Sequence, residues 1–314
     1  LNPLAVKKKL SAVLLHKPVL LEEAVQSLNL KSGSVVLDGT LGSGGHSREF
    51  LKAIGEKGIL VGLDQDPEAI ERCRKCFGDL PQLRLHQGNF RNSDVILDLL
   101  KIPSLDAALL DVGFSSDQLE DSERGFSFER QGPLDMRMDR LKPVTAADLV
   151  RDLSQVDLEH LFVRFGEERW ARRFAEKICQ KRQEKPIMTT DDLVKVLDAA
   201  LPRAYSYPRG KRPSWARHHP ATRVFQALRI AVNDELESLS EALPKIFNRL
   251  NPGGRFSVIS FHSLEDRIVK HQFKAWAQSK QGALVNKKPI EASDEEVDAN
   301  PRSRSAKLRT IERL

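Results

Sequence analysis

Only a strand that stops at a tight turn and passes straight into a helix accommodates Asp38-Gly39-Thr40-Leu41-Gly42-Ser43-Gly44-Gly45-His46-Ser47. The apolar run Val35-Val36-Leu37 enters this stretch, and a helix-patterned segment, Arg48 to Ile54, leaves it. Glycine tolerates positive φ and carries no side chain, so a backbone built this way can approach a nucleotide-like ligand closely. The stretch is not a phosphate loop, because no Gly-Lys-Ser/Thr follows the glycines. It is an incomplete dinucleotide fingerprint: Gly42 and Gly44 fit, but Ser47 stands where the third glycine belongs. NAD therefore stands as the weaker alternative ligand.

The segments downstream repeat one pattern. Gly58 to Asp64 and Leu105 to Asp111 read as buried strands ending in an acid, and Leu83 to His86 as a shorter strand before Gly88-Asn89-Phe90. Helical patterns separate them: Pro18 to Leu28 ahead of the first strand, Pro67 to Phe77 and Val95 to Leu100 after it. Near-continuous apolar strands alternating with helices predict an α/β fold with a mostly parallel sheet covered on both faces. In such sheets ligands bind at the carboxyl ends of the strands. Asp38, Asp64 and Asp111 all fall there. Any one of them reads equally as a helix N-cap; three at one edge favour a site. Asp64 lies about 20 residues beyond the glycine loop, the spacing at which an acid accepts hydrogen bonds from ribose hydroxyls.

The alternation then stops until Arg255 to Phe261, a strand after the Asn251-Pro252-Gly253-Gly254 turn. The gap is too long for an ordinary crossover and is mostly helical in pattern. Thr145 with Asp148 forms a capping box, and Ser154, Thr189 and Thr190 precede similar runs. The expected division is a main domain over 1–112 and 219–314 with an inserted all-helical domain over 113–218. Near its end Arg203, Arg209, Lys211, Arg212 and Arg217 interleave with Tyr205, Tyr207 and Trp215. That composition fits RNA phosphates and unpaired bases, and fits a solvated loop equally well. From Pro220 a stripe of Val224, Leu228, Val232, Leu236, Leu239 and Leu243 predicts one long helix packed on the sheet. Ser263 to Trp276 reads as a further helix, Gln278 to Ser305 as loop or disordered chain, and Ala306 to Ile311 as a last strand.

Composition narrows the partners. The formal net charge of +6 is compatible with a polyanion without requiring one. No apolar run is long enough to cross a bilayer, and Lys7-Lys8-Lys9 followed by Leu10 to Leu15 reads as a basic tail rather than a leader. The expected location is cytoplasmic, with no membrane partner. Cys73, Cys76 and Cys179 are too few for a disulfide framework. Cys73-x-x-Cys76 lacks the further ligands of a zinc tetrad, so it reads as helix packing and no metal is expected.

Beyond the glycine loop, four other stretches carry a specific resemblance. They are His16-Lys17-Pro18-Val19-Leu20-Leu21-Glu22-Glu23-Ala24; Glu123 to Phe128 with Gly132-Pro133-Leu134-Asp135-Met136-Arg137-Met138-Asp139; His219 to Arg223 through Asn233 to Leu236; and Ser260-Phe261-His262-Ser263-Leu264-Glu265-Asp266-Arg267. Asn300 to Arg309 fits as well. Together they resemble the bacterial RsmH (MraW) family of class I S-adenosylmethionine-dependent methyltransferases, over nearly the whole chain. The Asp135 stretch is the most diagnostic. The resemblance implies a Rossmann-like fold with S-adenosyl-L-methionine as cofactor. It implies methylation of the exocyclic N(4) amine of a cytosine in the decoding region of 16S ribosomal RNA. The implied partner is that RNA or the small ribosomal subunit, with the protein a monomer or homodimer.

The same resemblance implies the site. Gly44, Gly45 and His46 would line the methionine and ribose side, Asp64 would hold the ribose hydroxyls, Phe90 would contact the adenine, and Asp111 and Gln118 would complete the pocket. This chain has Asp117 where the family pattern has proline before the glutamine. The Asp/Asn-Pro-Pro-Tyr motif of many amino-methyltransferases is absent after the fourth strand, where Asp111-Val112-Gly113-Phe114 stands. Asp111 and Asp135 are the candidate catalytic acceptors. Asp135 reads equally as a partner of Arg137 or Arg124. Arg137, Arg223 and Arg267 are candidates for RNA phosphates, or for internal ion pairs. His262 is a candidate for proton transfer, with a structural role the commoner one for a strand-end histidine. Methylation at cytosine carbon 5 would need a cysteine nucleophile, and none is expected at a strand end. The competing readings are a methyltransferase for another RNA, a protein or a small molecule, and a non-catalytic RNA-binding module.

Overall fold

A computed structural model describes residues 18–201 and 219–314. The basic tail around Lys7 and the basic, aromatic stretch over 203–217 lie outside the described residues. The chain divides into two compact units: one takes the described residues up to Gly113 together with those from Leu236 onward, the other runs Phe114–Glu235.

The first unit opens with α1 (Leu21–Leu28), β1 (Val35–Asp38), α2 (Gly45–Ile54) and β2 (Ile59–Asp64). It continues through α3 (Pro67–Phe77), β3 (Leu83–Gln87), α4 (Ser93–Leu99) and β4 (Leu105–Asp111). β1, β2 and β4 are short, apolar and mostly buried, while β3 at the sheet edge is half-exposed, and neighbouring residues point to opposite faces. Thus Val36, Leu60, Ala107 and Leu109 join a core with Phe50 of α2 and Phe77 of α3. Leu37, Val61, Ala108 and Leu110 join a second core on the other face. α3 starts where the sequence signals it, with Asp66 accepting the Glu68 N–H at 3.0 Å and Pro67 at the first helical position.

The second unit is helical. It holds α5 (Ser116–Glu120), α6 (Ala146–Asp152), α7 (Gln155–Gly166), α8 (Ala171–Glu184), α9 (Thr190–Ala200) and α10 (Pro220–Asn233). The Thr145–Asp148 capping box forms, and Ser154 and Thr189 cap α7 and α9. Thr190 is the first residue of α9, and its hydroxyl donates to the Arg130 carbonyl. Phe162, Phe174, Leu193 and Val224 sit in one core.

The chain then returns through α11 (Glu235–Arg249), β5 (Leu250–Ser260), α12 (Ser263–Gln278), β6 (Gly282–Leu284), β7 (Ile290–Glu291), α13 (Asp294–Ala299) and β8 (Lys307–Arg313). The sheet order is β3-β2-β1-β4-β5-β8-β6, with β7 also on β8. β1 to β5 pair in parallel, and only β8 and its partners run antiparallel. The mostly parallel α/β sheet with a helical insertion is therefore present.

Three expectations differ from the structure. The long helix predicted from Pro220 is two helices. Asp234 adopts a left-handed conformation, φ 53°, and ends α10. Val224, Leu228 and Val232 then face the helical core, while Leu239 and Leu243 of α11 face the sheet. The second domain boundary accordingly falls after Glu235 rather than after His218, because α10 packs on α7. The segment from Gln278 to Ser305 is also ordered: β6 and β7 extend the sheet edge, and the Glu296 carboxylate accepts the Leu20 N–H at 2.8 Å.

Candidate active site

The three strand-end acids are not helix caps: the following helices are capped by Gly44, Asp66 and Ser115. Instead they bind the glycine loop. Asp38 is buried at the end of β1, where Oδ2 accepts the Ser47 hydroxyl at 2.6 Å and Oδ1 accepts the Thr40 N–H at 3.2 Å. Asp64 accepts the Gly42 N–H on Oδ2 at 2.8 Å and the Asp66 N–H on Oδ1 at 2.9 Å. Thr40 Oγ1 accepts the Asp111 N–H at 2.6 Å. The loop backbone bonds both neighbouring strands, Gly39 N–H to the Leu109 carbonyl and Leu41 N–H to the Leu63 carbonyl. The loop is thus fastened to β1, β2 and β4 before any ligand is considered.

Glycine is required here for two separate reasons. Gly44 has φ +77°, and a Cβ on it would meet Phe77 at 2.8 Å. A Cβ on Gly39 would lie 2.4 Å from Leu110 and 3.4 Å from the Phe90 Cβ, so the half-buried Phe90 starts beside the loop. The Asn89 side chain beside it donates to Gln65 Oε1 at 3.3 Å and so ties this ring to the residue following Asp64.

Burial dominates the electrostatics. It pushes the carboxyls of Asp38 and Asp64 up to about 6, although both accept hydrogen bonds that favour the ionised form. Asp111 is pushed further, to about 8, by burial and then by the charges of Asp38 and Glu265. Its Oδ1 is buried and has no hydrogen-bond partner among the described residues. Oδ2 lies 3.7 Å from His46 Nδ1. His46 is buried, and burial lowers its pKa to about 4, so the ring is neutral at pH 7. Its Nε2 faces the Val19 carbonyl at 3.1 Å. A carbonyl only accepts, so Nε2 carries the proton and Nδ1 presents a lone pair toward Asp111. A protonated Asp111 is compatible with that lone pair 3.7 Å away; an ionised one faces it with like charge.

Gly44, Gly45, His46, Asp64, Phe90 and Asp111 therefore gather at the carboxyl edge of the first unit. Gln118 belongs to the helical unit, where its Oε1 accepts the Ser115 N–H at 2.9 Å and closes a capping box. Two residues of the acidic edge escaped sequence reasoning. Thr40 had no signal beyond its place in the loop. Glu265 is buried and accepts the Phe261 N–H at 2.8 Å; its position three residues after His262, at a helix start, is a capping-box spacing. His262 is the N-cap of α12 and lies 3.0 Å from Glu265 Oε1. Its Nδ1 accepts the Glu265 N–H at 3.4 Å, which is a capping contact.

The Asp135 stretch is a folded knot within the helical unit. Asp135 takes three hydrogen bonds from Arg137: backbone N–H at 3.0 Å, Nε at 2.8 Å and Nη2 at 2.8 Å. Burial alone would raise the Asp135 carboxyl, but Arg137 outweighs it and holds it below the ordinary range. It is a weak base committed to its neighbour, which argues against the acceptor role. Arg137 gives its remaining Nη1 to the Arg140 and Lys142 carbonyls, so its donors are directed into the loop rather than toward phosphate. Arg124, buried, donates to the Arg137 and Met138 carbonyls instead of to Asp135. Asn233 closes the knot, accepting the Met138 N–H at 2.8 Å and donating to the Met136 carbonyl at 2.7 Å. Arg223 and Arg267 are both exposed, on α10 and α12.

The cysteines are not placed as nucleophiles. Cys73 packs behind the loop with Sγ 3.5 Å from the Gly42 carbonyl, and burial raises its thiol pKa, which keeps it un-ionised. Cys76 and Cys179 are half-buried on α3 and α8.

Residues 13–314 match the MraW methylase family. The chain is 42% identical over 314 residues to the ribosomal RNA small subunit methyltransferase H of Halothermothrix orenii, a match spanning 95% of this chain and 98% of that protein. It is 47% identical over 317 residues to the protein of the same description from Syntrophotalea carbinolica, spanning 95% and 98%. To that of Geobacter sulfurreducens it is 46% identical over 318 residues, spanning 95% and 99%.

Proposed function

The chain belongs to the MraW methylase family, and from that premise we propose that it methylates the N(4) amine of a cytosine in the decoding region of 16S ribosomal RNA. The methyl donor is S-adenosyl-L-methionine, which supplies an activated methyl on a sulfonium. The carrying observation is the buried, unpartnered Asp111 Oδ1 at the same strand edge as the fastened glycine loop. An orphaned acceptor there fits a cationic ligand with polar hydrogens. Asp64 fits a ribose diol, since each of its oxygens accepts one N–H and keeps a lone pair.

The chain's own residues then have defined tasks. Asp38, Thr40 and Asp64 hold the loop so that donor and acceptor atoms can be aligned, which is where most of the acceleration in such a transfer originates. Phe90 offers a ring face to the adenine. Asp111 is protonated by burial in the free protein, and a positive charge placed beside it returns it to the carboxylate. In that form Asp111 faces the amine, helps localise its lone pair and receives its proton. His46, neutral with its proton directed to the Val19 carbonyl, packs beside Asp111 without a hydrogen bond to the carboxylate. The absence of a thiol at the edge disfavours attack through cytosine carbon 6, and so favours the amine over carbon 5. The helical unit, 114–235, contributes RNA recognition.

The test is transfer from labelled S-adenosylmethionine to small subunits lacking the modification. Label recovered in the RNA fraction, and lost with Asp111→Ala, supports the reading. Label confined to ribosomal protein overturns it.

A further inference from the structure

We infer that the corner between α7 and α8, with the start of α10, is a docking surface for single-stranded RNA. This rests on the reading of the substrate as RNA and identifies where the helical unit grips it. Four exposed arginines stand on these three helices: Arg164 near the end of α7, Arg172 and Arg173 at the start of α8, and Arg223 at the start of α10. The other basic side chains of the unit are mostly neutralised by acids. Arg151 pairs with Asp148 and Asp152, Lys181 with Glu184, Lys195 with Asp191 and Arg229 with Glu235. Among the described residues no carboxylate lies within ion-pair distance of Arg164, Arg172, Arg173 or Arg223.

Two of these arginines are held by neutral groups. Arg173 Nε donates to the Ala200 carbonyl at 3.1 Å, and Arg223 Nη1 to the Glu167 carbonyl at 2.8 Å. A backbone carbonyl fixes a guanidinium without cancelling its charge and leaves its other donors facing outward. That arrangement suits a phosphate, which takes the planar fork in two bonds. Glu167 and Glu168 lie in the same corner, but Glu168 is buried and accepts the Trp170 N–H at 2.8 Å.

The corner also carries aromatic rings. The Arg164 guanidinium lies 5.0 Å from the Phe165 ring centroid. Arg169 and Arg173 lie 5.1 and 5.9 Å from that of Trp170. Both rings are half-buried, so each keeps part of its surface accessible. Guanidinium planes and indole faces next to unneutralised positive charge are what an unpaired nucleotide requires: stacking for the base, a fork for the phosphate. An acidic protein segment would use the charges and leave the rings without a role.

The experiment compares the full chain with Arg164→Ala/Arg172→Ala and Arg164→Lys/Arg172→Lys. Neither residue is in the core, and the melting temperature and S-adenosylmethionine affinity of each variant are measured first. Binding to a labelled single-stranded 16S fragment and to whole small subunits is titrated across a range of salt. The alanine pair is expected to weaken RNA binding about tenfold or more. It should also flatten the salt slope by about 1.4, about 0.7 for each single-strand phosphate no longer neutralised. The lysine pair should keep the slope. In turnover, KM for RNA should rise while kcat holds. An alanine pair with unchanged affinity and slope, while the wild-type protein methylates normally, overturns this surface alone. Weakened binding to subunits with unchanged binding to naked RNA assigns the corner to a ribosomal protein and also overturns the inference. A wild-type protein that transfers no methyl to RNA overturns the underlying reading instead.

Discussion

Replacing Asp111 by asparagine should make the free protein more stable as pH rises, while removing activity. The wild-type carboxyl titrates near 8 in the folded protein, against an ordinary value of 3.8. Between those limits the folded state holds a proton that the unfolded chain has released. Stability from this group is therefore fully present below about pH 4 and is lost as pH rises through 8, by up to about 1.4 kcal/mol per pH unit. Over the full window the ceiling is about 6 kcal/mol, and local relaxation and water entry leave about 2 kcal/mol or more. Asparagine releases no proton, and its amide can donate to the His46 Nδ1 lone pair that faces this position. The assay is urea unfolding of both proteins at pH 4.5 to 8.5. The variant's advantage should grow steadily up to about pH 8 and then level off. Parallel pH profiles would refute the placement of a half-buried, proton-holding Asp111.

Other consequences can be checked separately. Because a cationic ligand should ionise Asp111, S-adenosylmethionine binding at pH 7 should release up to about one proton, read by calorimetry in buffers of different ionisation heat, and Asp111→Asn should abolish that release. Asp64→Ala should weaken cofactor binding by about 10- to 100-fold in equilibrium dialysis, through lost hydrogen bonds to the ligand and an unpartnered Gly42 N–H. Arg137→Ala should cost about 2–4 kcal/mol of unfolding free energy by stranding Asp135, without changing cofactor affinity. At the acid end His46, held neutral in the folded state with its pKa near 4, contributes a loss of stability as pH drops from about 6.5 to 4, opposite in sign to the contributions of Asp38, Asp64 and Asp111; His46→Gln should remove it, so the stability of that variant relative to wild type should rise as pH falls through this window in urea unfolding.

The parallel sheet was legible because β1, β2 and β4 are buried on both faces and so appear as unbroken apolar runs ending in acids. The glycine loop was legible because its positive φ angles and close approaches leave few residue choices. The break at Asp234 was not legible. The apolar stripe keeps its spacing through it, and only three-dimensional packing shows that Val232 and Leu239 serve different cores. β6 and β7 were hidden because strands of three and two residues carry no periodic signal. Within the site, the acids could be found from their place at strand ends, but their division of labour could not. Asp111 is left with a free buried oxygen while Asp135 is consumed by Arg137, and that difference arises from how each is surrounded in the fold. The arginine corner was missed because its charges are spread over three helices.

The most direct measurement is the identity of the methylated nucleoside. Small subunits lacking the modification are incubated with the protein and labelled S-adenosylmethionine, the RNA is digested, and the product is identified by mass spectrometry against standards. N(4)-methylcytidine, formed by the wild-type protein and absent with Asp111→Ala, is the predicted result. A label carried on carbon 5 of cytidine, on another nucleoside, or on no nucleoside at all would contradict it.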